Sequence, residues 1–188
     1  AKRWYDLLQI LEREVELSQA SAETAALKHR MGQLWETELK DLTRSVDAYR
    51  EVLVIDPGHE ATLAALTGIL HGEGEPVLAA QVLEPIYSQA CEWERLVDVY
   101  EVMVAHSDDA VRKVELLHVI AEIYERQLDK ARDAFAAYAR ALRVDSQNEQ
   151  SIGHLERLGG DTGQWAELAQ LYEEELTKIL EAARQIEM

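Results

Sequence analysis

Phenylalanine occurs once, cysteine once and proline 3 times in these 188 residues, and each shortage closes off a class of structure. Runs of β-branched or aromatic residues bounded by turn residues, the usual mark of strands, are missing, which predicts an all-helical chain. The lone Cys91 excludes an internal disulfide and any multi-cysteine metal site, and it suits a reducing compartment. No apolar run approaches the roughly 20 residues that cross a bilayer. The opening AKRWYDLLQI has neither the apolar stretch nor the cleavage site of a signal peptide, so a cytoplasmic location is expected, with no membrane partner. With Ala1 first and a helical pattern still running at Met188, the chain is expected to be a fragment of something longer.

Basic residues are also scarce: 19 against 36 acidic ones, a formal charge of -17. Such a chain repels a phosphate backbone instead of releasing its counterions, which argues against direct nucleic-acid binding. A partner steered by charge would be basic. The six histidines, at 29, 59, 71, 106, 118 and 154, form no HExxH or other close ligand pair, so no metal site is expected. The glycine-bearing segments HGEGEP and LGGDTGQW follow no strand and lack the Lys-Ser/Thr of a phosphate loop; both read as inter-helix turns. Acidic pairs such as Glu36 with Glu38, and the run Glu173, Glu174, Glu175, look like solvated helix faces. No nucleophile, base and orienter converge, so neither catalysis nor a cofactor is expected.

What is abundant is alanine, leucine, glutamate and valine at helical spacing, and the pattern repeats. Sliding residues 1 to 89 onto 90 to 178 without a gap gives 20 identical positions, among them Trp4/Trp93, His29/His118, Glu36/Glu125, Tyr49/Tyr138, Asp56/Asp145 and Gly74/Gly163. Chance would give roughly a third of that, so the sequence reads as a tandem duplication of an 89-residue unit with a C-terminal extension at 179–188. Apolar stripes such as Trp4, Leu7, Leu8, Leu11 and Val15 predict about ten helices. In the first copy they span about 4–18, 22–39, 43–55 and 59–70, then a fifth from Pro76 in which Pro85 should produce a kink. In the second they span about 92–106, 110–128, 131–144, 148–158 and 164–186. No linker divides them, which predicts a single continuous solenoid over 1–188.

The second and third helices of each copy carry small and aromatic residues at fixed places. They read Met31, Gly32, Trp35, then Ser45, Tyr49, Val52, Pro57, and in the second copy Ile120, Ala121, Tyr124, then Ala134, Tyr138, Ala141, with Ser146 in place of the proline. This pattern resembles the tetratricopeptide repeat, a helical hairpin of about 34 residues, and the helices with Trp93, Leu96, Tyr100 and Glu101, and with Trp165, Leu168, Tyr172 and Glu173, resemble those of long bacterial arrays. Trp35 to Ser45 is one residue longer than the family spacing. Leu63, Leu66, Leu70, Gly74, Ala79, Leu83 and Ile86 resemble a more degenerate repeat. The resemblance implies a right-handed α-α superhelix and a non-enzymatic role in protein–protein interaction. Five helices per copy is an odd number for a two-layered array, and a local irregularity near Cys91 is the expected remedy.

In the family, the position held by His29 and His118 tends to face a concave groove. Partner-binding candidates on that face are therefore His29, Gln33, Glu36, His118, Glu122 and Glu125. An inherited histidine packed beside a neighbouring helix explains their equivalence as well. The carboxylate clamp of some family members needs lysine and asparagine, whereas the matching positions here are His29, Gln33, Ala64, Gly68, His118 and Glu122. A basic or apolar protein segment is the expected partner, with the chain a monomer or weak homo-oligomer. Two other readings stay open: a module that assembles by end-to-end or intra-chain stacking through Leu176, Ile179, Leu180, Ala183 and Ile186, and an RNA-processing scaffold similar to half-a-tetratricopeptide proteins.

Overall fold

Helix termini are set by a few polar residues, and they fall close to the expected places. A computed structural model describes the backbone of residues 2–186 and the side chains of residues 3–178 and Leu180. The described residues are all-helical: α1 (Lys2–Leu17), α2 (Ser21–Leu34), α3 (Leu42–Ile55), α4 (Glu60–Leu70), α5 (Pro76–Gln89), α6 (Trp93–Ala105), α7 (Ala110–Arg126), α8 (Ala131–Val144), α9 (Glu149–Thr162) and α10 (Trp165–Ile186). Asp41, Asp109 and Asn148 each accept a backbone N–H of the first helical turn through a side-chain oxygen, from Arg44 at 3.0 Å, Val111 at 2.9 Å and Ser151 at 2.8 Å. Each removes one of the unpaired donors of a helix start. Asp41→Ala should therefore cost about 1 kcal/mol, read as a lowered urea midpoint; an unchanged midpoint would show the cap to be idle.

Two compact units divide the chain, Ala1–Glu92 and Trp93–Met188. In the first, α1 packs on α2, where Leu8, Leu11 and Leu34 are buried with Leu27, Met31, Trp35 and Leu39 around them. Helix α3 packs on α2, α4 and α5. In the second, each helix from α6 to α10 packs on the next. Salt bridges also tie alternate helices together: Arg140 on α8 grips Glu101 on α6 with two bonds of 2.6 and 2.7 Å, and Arg157 on α9 reaches Glu125 on α7 at 2.8 Å.

The ten-residue step from Trp35 to Ser45 is taken up by a widened helix end. The end of α2 widens into a π-helical turn, Trp35–Leu39, and the Asp41 N–H returns six residues to the Trp35 carbonyl at 2.9 Å. A π turn is one residue inserted into a helix. The second unit widens at the same place, where Leu128 N–H bonds the Ile123 carbonyl and Lys130 N–H the Tyr124 carbonyl. Lys40 and Asp129, at matching positions 89 apart, then turn the chain with left-handed φ of 57° and 54°. Gly74 and Gly163, each 34 residues further on, also have positive φ. Cys91, just before the boundary between the units, is a third non-glycine residue with a left-handed φ, 57°.

One expectation needs adjusting. The LGGDTGQW segment is not all turn: α9 runs on through Gly159 and Gly160 to Thr162, and only Gly163 reverses the chain. The reason is packing, since Gly160 leaves room for Trp165, whose Cζ2 would lie 3.3 Å from a methyl there, and Gly159 leaves room for Leu168. Pro85 lies inside α5, four residues before its end at Gln89.

The hairpin contacts explain why small residues face aromatic ones. Tyr49 and Tyr138 are both fully buried. Gly32 lies under the Tyr49 ring so closely that a methyl would come within 2.6 Å of its Cδ1. The second unit carries that methyl, as Ala121, and holds its ring differently. Tyr49 donates its hydroxyl to Glu36 at 2.8 Å, whereas Tyr138 stacks flat on His154, centroids 4.4 Å apart, and its hydroxyl has no hydrogen-bond partner.

Candidate functional site

Each unit carries its own candidate face, on α2 in the first and on α7 in the second, where a histidine is followed at i+4 and i+7 by Gln33 and Glu36, or by Glu122 and Glu125. Those intervals place all three side chains on one side of a helix. Both histidines look inward from it. His29 Nδ1 lies 2.8 Å from the Thr62 hydroxyl on α4, and His118 Nε2 lies 2.7 Å from the Ser151 hydroxyl on α9. Thr62 and Ser151 are themselves 89 residues apart and fully buried. Each unit thus carries the same imidazole–hydroxyl bridge between a hairpin's first helix and the first helix of the following hairpin.

Around the bridges the units diverge. In the first, the His59 ring stands 5.2 Å from His29, its Nδ1 shares the Thr62 hydroxyl at 2.8 Å, and the Thr62 N–H donates to it, so His59 is also the helix cap. Its counterpart is Asn148, which caps α9 with an amide oxygen. In the second unit the neighbouring imidazole is His154 instead, 6.4 Å from His118 and beside Arg157, whose Nη2 is 3.4 Å from His154 Nδ1. No third carboxylate or thiol completes a metal-holding group among the described residues.

Burial, with the second imidazole of each pair adding to it, lowers the pKa of His29 and of His118 below the ordinary 6.5; Glu36 and Glu122 oppose the shift. Both are neutral near pH 7. The consequence for stability has a definite sign. Below pH 6.5 the unfolded histidines take up protons that the folded ones refuse, so stability falls as pH drops from 6.5 toward the folded values and is fully present above 6.5. Urea midpoints should be lower at a pH of about 5.5 than at about 7.5, a window above most carboxylate titration. A midpoint that rises on acidification would reverse the assignment.

The remaining candidates differ in how much they present to solvent. Gln33 is exposed. Glu36 is half-buried and holds Tyr49; Glu122 is half-buried and pairs with Arg126 at 3.4 Å; Glu125 is half-buried and pairs with Arg157. Thr62, Ser151 and Arg157 escaped the sequence reading, and His59 and His154 entered it only among the histidines weighed for a metal site. One signal for the first two was available: Thr62 and Ser151 are a hydroxyl pair at the 89-residue offset, 33 positions after each histidine, hidden because they are similar and not identical.

No helix among the described residues is long and apolar enough to cross a membrane. No model of a known protein family matches the chain, and no curated protein matches it.

Proposed function

We propose that the chain is a tetratricopeptide-like helical repeat protein of the right-handed superhelical kind, duplicated over 89 residues, and that it acts as a non-enzymatic scaffold for a protein or peptide segment. The observation that carries the reading is the recurrence, in both units, of one device at one place: an imidazole–hydroxyl bridge under a face that presents an exposed or half-exposed polar row. The left-handed turns at Lys40 and Asp129 and the alternate-helix salt bridges support the same architecture. With the histidines engaged internally, partner contact falls to Gln33, Glu36, Glu122 and Glu125, while His29 and His118 position the helices beneath them. An acidic row of this kind favours a basic or apolar segment and disfavours nucleic acid.

An array of basic, apolar and acidic peptides probed with the purified chain tests this. Wild type should retain basic and apolar peptides, and Gln33→Lys combined with Glu122→Lys should weaken retention about tenfold. Equal retention of every captured peptide by the variant would remove the face from the account.

A second reading, assembly by stacking, has its own observation: Trp165, Leu176 and Leu180 on α10 are 56%, 57% and 51% exposed. The side chains of Ile179, Ala183 and Ile186, part of the same expected stripe, lie outside the described residues. Light scattering over a concentration series separates the two, because a strict monomer at high concentration is incompatible with stacking.

A further inference from the structure

The two units differ most usefully beside His118. A cleft of about 400 Å³ opens there between the start of α7, the end of α8 and the start of α9. Its walls are Val111, Val114 and Val144, and Glu115, Asp145 and Gln150 bring polar groups to it. In the first unit the counterparts of Val111, Val114, Glu115 and Gln150 are Ala22, Ala25, Ala26 and Ala61, four alanines. The counterpart of Asn148 is His59, whose ring stands beside His29. The second unit has thus exchanged a ring for a smaller amide, and alanines for an apolar wall with a carboxylate and a carboxamide.

Resting on the scaffold reading above, we propose that this cleft seats an arginine side chain of a bound polypeptide. Its aliphatic stem would lie against Val111, Val114 and Val144, and its guanidinium would meet Glu115 and Asp145.

Three observations select that ligand. Val111 is 68% exposed, an apolar surface left in water beside a carboxylate, which matches a long side chain with an apolar stem and a charged end. The Glu115 carboxylate already accepts a guanidinium, from Arg112 at 3.0 Å; that exposed pair is weak enough to be exchanged. Asp145 accepts the Gln147 N–H through Oδ1 at 3.1 Å, and a carboxylate retains further acceptor capacity beyond one bond. Arginine is favoured over lysine because its planar fork can engage a carboxylate through two parallel bonds. The buried His118, neutral near pH 7, adds no positive charge to oppose it. The chain's net charge of -17 draws such a segment in.

The test is an amide chemical-shift titration of the whole chain with a capped nonapeptide carrying a central arginine between leucine and serine. The same peptide with citrulline, and with glutamate, at the centre serves for comparison. The arginine peptide should shift Val111, Val114, Val144 and Gln150 saturably, and the citrulline peptide, equal in shape and uncharged, should bind about tenfold more weakly or worse. Val111→Trp fills the cleft at an exposed position without changing charge and should abolish the saturable shifts, whereas Glu115→Gln should weaken them several-fold. Equal binding of the arginine and citrulline peptides, or shifts that survive Val111→Trp, would overturn the cleft assignment while leaving the scaffold reading in place. If no peptide of the basic, apolar or acidic panel shifts any resonance, both fall.

Discussion

Gly32→Ala should destabilise the first unit by about 2 kcal/mol, although helix propensity alone would favour the change by about 1 kcal/mol. The added methyl meets a ring that is fully buried, coming within 2.6 Å of Tyr49 Cδ1, and the ring is tethered by its hydroxyl to Glu36. Relief requires the ring to move, which loosens core packing and pulls the hydroxyl from its acceptor. Urea denaturation followed by circular dichroism reads the loss. A control isolates the cause: in a Tyr49→Ala background the collision is gone, and Gly32→Ala should turn from destabilising to stabilising. A midpoint unchanged or raised by Gly32→Ala in the wild-type background would mean that the ring can shift freely, as the Tyr138 ring over Ala121 has been allowed to do.

Ser151→Ala should cost about 1–3 kcal/mol, because it leaves a polar nitrogen of a buried histidine without its partner. His118 is only 8% exposed, so water cannot readily replace the hydroxyl. Thr62→Val in the first unit should cost less, since His29 is only half-buried. Removing both members of the second bridge, with His118→Leu added to Ser151→Ala, should recover part of the loss, since no buried polar atom is then stranded. A double-mutant cycle measures the coupling directly. Independent, additive effects would show that the 2.7 Å contact contributes nothing to the fold.

Much of the architecture was legible because helices advertise themselves locally. The apolar stripes that predict about ten helices are contained in short windows of sequence. What was hidden depends on contacts between helices. Gly159 and Gly160 look like a turn by composition, yet they are helical because Trp165 and Leu168 pack across them. The longer hairpin spacing was visible as a count, but not as a π-helical turn, since widening a helix is a property of its hydrogen bonds. The candidate face was legible in outline from the 89-residue offset. The inward turn of its histidines was not, because it depends on hydroxyls 33 residues away.

At the centre of the account is the claim that His29 and His118 are internal bridges carrying the polar row and are not themselves open to a groove. Nuclear magnetic resonance titration of the imidazole protons of the folded chain tests it most directly, with His118→Gln and His29→Gln to assign the signals. The account predicts that both histidines titrate below 6.5, as burial beside a second imidazole requires. Titration of both at or above 6.5 would contradict it, since that is the behaviour of imidazoles open to water beside the carboxylates of Glu36 and Glu122.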